Sequence, residues 1–131
     1  MCIRDSYLSA AAVGDMEFEV DQHKIKKSEL NGKLLFKPSV DILEKCLETK
    51  KEHQLIIGFA AETQLNFSTL QKKWERKKVD FLIGTRVHSS TGQGFAASKA
   101  EYHILKDGQT WKKSHFEKSK LYNEVFGEIF R

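Results

Sequence analysis

The stretch QLIIGFAAETQLNFSTLQKKWERKKVDFLIG, from Gln54 to Gly84, decides the fold. Gln54 to Ala60 is a continuous apolar run, as expected of a strand buried on both faces. Thr63 to Lys78 places Phe67, Leu70 and Trp74 at helical spacing, and Val79 to Gly84 turns apolar again. Strand, amphipathic helix, strand is the repeating unit of a parallel sheet. The pattern extends towards the amino terminus. Tyr7 to Val13 (YLSAAAV) reads as another buried strand, stopped by Gly14-Asp15. Residues 16 to 33 are polar and loop-like, and Lys33 to Lys37 is a strand candidate. After the only proline, Pro38, Ser39 is the expected N-cap of a helix that carries Val40, Leu43 and Leu47 through about Lys51. Towards the carboxyl terminus the pattern changes beyond Gly92-Gln93-Gly94. Glu101 to Leu105 and Gln109 to Lys113 flank Asp107-Gly108, a hairpin signal. Leu121, Val125 and Ile129, beside Tyr122 and Phe126, predict a closing amphipathic helix. The fold class expected is α/β with a mainly parallel sheet, a β-hairpin and a C-terminal helix.

The chain has 131 residues, 40% hydrophobic and 31% charged, an ordinary globular composition for one domain. No run approaches the roughly 20 apolar residues of a membrane span. The formal net charge is +4, too mild for a nucleic-acid binder, but it is unevenly placed. Lys24-Ile25-Lys26-Lys27 holds three lysines, and QKKWERKK at 71–78 sets five basic residues against Glu75. Outside these runs acidic residues outnumber basic ones. Two short cationic patches on a mildly acidic body suit a small anionic ligand better than a long polyanion. Cys2 and Cys46 make no disulfide framework, so the chain reads as cytoplasmic. His23, His53, His88, His103 and His115 lack metal-ligand spacing and read as surface residues, so no protein metal site is expected. Residues 1–6 (MCIRDS) are polar, unlike a signal peptide, and read as a non-native leader before a domain at 7–131.

In open parallel sheets ligands bind beyond the carboxyl ends of the strands. Those ends are Gly14-Asp15, Phe59-Ala60-Ala61-Glu62 and Gly84-Thr85-Arg86. Asp15 there is suited to a ribose hydroxyl or an exocyclic amine, or simply to a turn. Lys73 and Lys77 share one helix face, spaced to hold adjacent phosphates, or else form a solvated lysine face. Lys24, Lys26 and Lys27 are suited to a loop that closes over phosphates. The sequence contains no G-x-x-x-x-G-K-[ST], G-x-G-x-x-G or G-x-S-x-G motif, and Gly92-Gln93-Gly94 reads as a loop. From the residues alone, the chain is an α/β domain binding a phosphorylated small molecule.

Ala10-Ala11-Ala12-Val13-Gly14-Asp15, Lys24-Ile25-Lys26-Lys27, Val40-Asp41-Ile42-Leu43 and Gly58-Phe59-Ala60-Ala61-Glu62-Thr63 occur in an order and spacing that resembles the phosphopantothenate–cysteine ligase family of coenzyme A biosynthesis. The resemblance covers nearly the whole chain from Tyr7 and implies a Rossmann-like three-layer fold. It implies that CTP activates 4′-phosphopantothenate as an acyl-cytidylate, that cysteine then attacks, and that Mg²⁺ accompanies the nucleotide. ATP use, known among eukaryotic relatives, and a non-catalytic nucleotide-binding module are the alternatives. Carried over by position, Ser9, Ala10, Ala11 and Asp15 meet the nucleotide at a strand end. Lys24 is the catalytic lysine, offsetting charge on the triphosphate. Ser39, Val40, Asp41 and Ile42 contact base and ribose, Phe59 packs on the nucleotide, and Lys73 and Lys77 reach the triphosphate. Ala12, Lys26 and Lys27 belong to a substrate flap. The resemblance further implies a homodimer, with Lys33 to Lys37 as a contributing strand, and in many bacteria fusion to an upstream flavin-dependent decarboxylase. Two departures stand out. Gly84-Thr85-Arg86-Val87 replaces the usual A-N-D-V, and the family's S-N-x-S-S-G-type segment is not found, so the chain reads as a C-terminal portion that is inactive alone.

Overall fold

A computed structural model describes residues 6–10, 14–19, 23, 35–87 and 98–129, apart from the side chains of residues 111 and 128. Five strands form one mixed sheet: β1 (Ser6–Ser9), β4 (Leu55–Glu62), β5 (Phe81–Arg86), β6 (Lys99–Lys106) and β7 (Gln109–Glu117), adjacent in that order. β1 runs parallel to β4, and β4 parallel to β5, while β6 and β7 add to β5 as an antiparallel hairpin. Two further strands among the described residues, β2 (Met16–Phe18) and β3 (Phe36–Pro38), pair antiparallel as a separate ribbon. The fold is therefore the expected three-layer α/β arrangement, with the hairpin joined to the sheet.

Side-chain alternation along the strands supplies two cores. On one face Ile56, Ala60 and Leu82 pack with Leu65, Leu70, Val79 and Leu105 beneath α1 (Ile42–Glu48) and α2 (Phe67–Lys77). On the other, Ile57, Phe81, Ile83, Tyr102 and Ile104 meet Val125 and Phe126 of the closing segment. Burial there pushes the Tyr102 phenol above its ordinary pKa. Leu70 is fully buried, as its helical spacing predicts. It also explains Gly84: a β-carbon there would lie 2.6 Å from a Leu70 methyl. Gly108 is required twice over. Its φ of +76° completes the hairpin turn with Asp107, at φ +48°, and Trp74 lies against it where a side chain would be.

Several boundaries differ from those read in the sequence, each for a local reason. Asp41, not Ser39, caps α1: its Oδ1 accepts a hydrogen bond from the Glu44 amide at 3.1 Å. The Ser39 hydroxyl instead donates to the Gly14 carbonyl, and its amide donates to the Asp15 carbonyl at 3.0 Å. α1 ends at Glu48 rather than about Lys51, where Thr49 donates to the Lys45 carbonyl at 3.2 Å. α2 begins at Phe67 rather than Thr63, because Asn66 accepts from the Thr69 amide at 2.8 Å. The expected strand at 79–84 is shifted to Phe81–Arg86. Asp80 ahead of it accepts from the Ile56 amide at 2.7 Å and from Lys50 Nζ at 2.5 Å. Residues 16–18, expected as loop, form β2, whose partner β3 is Phe36–Pro38; of the strand expected at 33–37, residues 33 and 34 lie outside the described residues. The closing helix is irregular, a 3₁₀ turn at Lys118–Lys120 leading into a π-helical turn at Tyr122–Phe126. It still buries Val125 and Phe126 as expected. His103 is buried rather than on the surface, because β6 carries it onto the face beneath the helices, where its Nε2 lies 2.9 Å from Glu101 Oε1.

Candidate functional site

A cavity of about 560 Å³ opens where β1, the start of β2, the β3–α1 connection and α2 meet. Ser9 at the end of β1 and Asp15 before β2 form one wall. Ser39, Val40, Asp41 and Ile42 form another, continuing into the first turn of α1 with Glu44. Phe59 of β4 contributes behind them, and Arg76 and Lys77 come from the last turn of α2. The chain folds this way because the Ser39 amide and hydroxyl tie the β3–α1 connection to Gly14 and Asp15, bringing residues distant in sequence into one wall.

Asp41 is the joint of the site. One carboxylate oxygen caps α1, and the other forms an ion pair with Lys77. That pair ties the start of α1 to the end of α2, with the Lys77 side chain 18% exposed. One helical turn earlier, Lys73 takes a different partner, Glu62 at the end of β4. Glu62 and Arg86 are register partners, and Arg86 forms an ion pair with Glu101 at 3.1 Å. Glu101 in turn contacts His103. Alternating charges thus cross β4, β5 and β6 on the face beneath α2. The unusual Arg86 belongs to this row, with its Nη2 also near the Leu65 carbonyl at 3.5 Å.

Eight of the residues expected at a nucleotide therefore border one cavity: Ser9 and Asp15, the four residues 39–42, Phe59 and Lys77. Ala10 is exposed outside the lining, and Lys73 sits in the neighbouring ion pair. Ala11, Ala12, Lys24, Lys26 and Lys27 lie outside the described residues. Sequence reasoning missed Arg76 and Glu44. Both had a signal: Arg76 directly precedes Lys77 in the basic run, and Glu44 lies three residues beyond Asp41, one turn along α1. Among the described residues no three of His, Cys, Asp and Glu converge as a metal cage. No described helix is long and apolar enough to cross a membrane.

The fold and this cavity define an α/β domain with a polar cleft between the sheet and its helices. More particularly, the family described as DNA/pantothenate metabolism flavoprotein C-terminal domain matches residues 3–131, and the chain belongs to that family. It is 35% identical over 127 residues to the coenzyme A biosynthesis bifunctional protein CoaBC of Bacillus subtilis (strain 168), covering 95% of this chain and 31% of that protein. Among solved structures it resembles the C-terminal domain of a coenzyme A biosynthesis bifunctional protein CoaBC. The TM-score is 0.53 at 25% identity, over 73% of this chain and 43% of that one. It shares its fold with Cab2 mutant H337A in complex with phosphopantothenate-cysteine, with a TM-score of 0.57 at 19% identity over 91% and 42% of the two chains. The chain spans about a third of the length of the Bacillus relative.

Proposed function

We propose that this chain is the nucleotide-handling part of a phosphopantothenate–cysteine ligase acting in coenzyme A biosynthesis. The observation that carries the reading is the gathering of Asp15, Ser39 to Ile42, Phe59 and Lys77 around one cavity. CoaBC relatives and a fold neighbour bound to phosphopantothenate-cysteine support the substrate class.

In this reading a carboxylate oxygen of 4′-phosphopantothenate attacks the α-phosphorus of CTP. Pyrophosphate leaves and an acyl-cytidylate forms. The cysteine amine then attacks the acyl carbon, expels CMP and forms the amide, so a phosphate ester departs where free acid would have had to lose water. Asp41 and the neighbouring backbone orient base and ribose, Phe59 packs against the nucleotide, and Lys77 leaves Asp41 to meet phosphate. Lys24 offsets charge at phosphorus, and Lys26 and Lys27 cover the substrate. Mg²⁺ would accompany the nucleotide and offset its phosphate charge, and the Asp15, Asp41 and Glu44 carboxylates are the lining groups that would face it. The setting is cytoplasmic and the assembly a homodimer. The exposed Phe18 and Phe36, 4.6 Å apart between ring centroids on the ribbon, favour a contact there. Fusion to an upstream flavin-dependent decarboxylase completes the reading, which the naming of the relatives as bifunctional coenzyme A biosynthesis proteins supports.

Pyrophosphate release from CTP on adding phosphopantothenate, in the intact gene product that carries this chain, tests the reading. Release that requires phosphopantothenate supports it. CTP binding without release favours a non-catalytic nucleotide-binding module, a reading motivated by Gly84-Thr85-Arg86 in place of the family pattern. Release from ATP in preference to CTP reassigns the nucleotide.

A further inference from the structure

The charge balance of the cavity singles out a residue that neither the helical spacing nor the family pattern assigns. Among the described charged side chains of the lining, Asp15, Asp41 and Glu44 are acidic and Arg76 and Lys77 are basic. Beside these described groups a triphosphate meets three carboxylates and two cations, and the carboxyl end of α2, the negative end of its dipole, gives an anion no help. Every cation free to face the ligand therefore counts.

The three basic groups of α2 that bear on this region are not equivalent. Lys73 is held by Glu62 outside the lining. Lys77 lines the cavity, but Asp41 already neutralises it, and phosphate must displace that carboxylate to engage it. Arg76 lines the same cavity, is exposed, and forms no ion pair among the described residues. Among the described residues it has no ion pair to break before it binds. Its guanidinium also presents two parallel N–H donors, a geometry that grips phosphate oxygens in pairs, which a lysine cannot do.

We infer that Arg76 is a phosphate-binding residue of this cavity, contacting the triphosphate of the nucleotide. The inference rests on the nucleotide reading above and deepens it. Arg76 supplies the first cationic contact, and Lys77 joins as it exchanges Asp41 for phosphate.

The test is calorimetric titration of the full 131-residue chain with two probes in the presence of Mg²⁺, inorganic tripolyphosphate and CTP. Arg76→Ala should weaken both at least tenfold, and Arg76→Lys should restore part of the loss by keeping the charge without the fork. Arg76→Gln, closer in shape, should behave as Arg76→Ala, with an unchanged thermal melt as expected of an exposed side chain. Affinities within twofold of the parent chain for Arg76→Ala and Arg76→Gln would overturn the inference and leave the nucleotide reading standing. Arg76-dependent binding of tripolyphosphate, with CTP bound no more tightly, would uphold Arg76 and overturn the nucleotide reading. Binding of neither probe by the parent chain would overturn both.

Discussion

α1 is pinned at both ends by a lysine–aspartate pair, and the two pairs, each with one carboxylate oxygen on a backbone amide and the other on lysine, differ in what they border. Beyond its carboxyl end, Lys50 meets Asp80, both about one-fifth exposed. Asp80 spends its second oxygen on the Ile56 amide, so the carboxylate closes the crossing from β4 to β5. At its amino end, Asp41 meets Lys77, and this pair borders the cavity. The first carboxylate is committed wholly to neighbouring protein atoms. The second is committed in the same way, to the Glu44 amide and to Lys77, but its lysine lines the cavity. The same chemical pair stands away from the cavity at one end and at its border at the other, and in the proposed reading only the second exchanges its partner for a ligand.

Breaking the Lys50–Asp80 pair should have the largest effect. Asp80→Ala leaves the Ile56 amide and Lys50 without their shared acceptor, and hydrogen bonds to a charged group contribute about 1.5–3 kcal/mol each. Chemical denaturation should report a loss of roughly 2–4 kcal/mol, with CTP affinity per folded molecule unchanged. Next comes the cavity pair. Lys77→Ala should weaken CTP about tenfold by calorimetry, the scale of one lost charge contact of ~1.4 kcal/mol, and lower stability by less than ~1 kcal/mol. Lys73→Ala, which loses a contact to Glu62 outside the lining, should cost CTP affinity less than Lys77→Ala does. The smallest change sharpens the contrast most. Asp41→Asn keeps a good N-cap but no longer neutralises Lys77, so tripolyphosphate should bind about threefold more tightly, a gain of ~0.7 kcal/mol. Weaker binding would mean that Asp41 holds Lys77 in place for phosphate rather than competing for it.

The sequence made the central unit legible because burial on both faces writes itself as continuous apolar runs. Gln54 to Ala60 and Leu70 between them leave little choice of fold. The hairpin was equally open to reading, since Asp107-Gly108 demands positive φ and the structure uses it. The ribbon was not. Met16–Phe18 is only three residues long and exposed throughout, so no alternation between core and solvent marks it. Ser39 followed the same N-cap rule that Asp41 obeys two residues later. Only the bond from Ser39 to Gly14, 25 positions away, separates them, and no local pattern reveals it. For the site, spacing alone paired Lys73 with Lys77. One helical turn then directs them to different carboxylates, and Arg76 enters the cavity between them in sequence. The burial of His103 has a similar cause, since it depends on the face that β6 turns towards α2.

The most direct test of the account is an NMR titration of the chain with CTP and Mg²⁺, following backbone amides. The account predicts that the shifts cluster on Asp15, on residues 39–44, on Phe59 and on the last turn of α2, while Lys50, Ile56 and Asp80 stay still. Shifts centred on the Lys50–Asp80 end, or on the Arg86–Glu101–His103 row with the cavity silent, would contradict it.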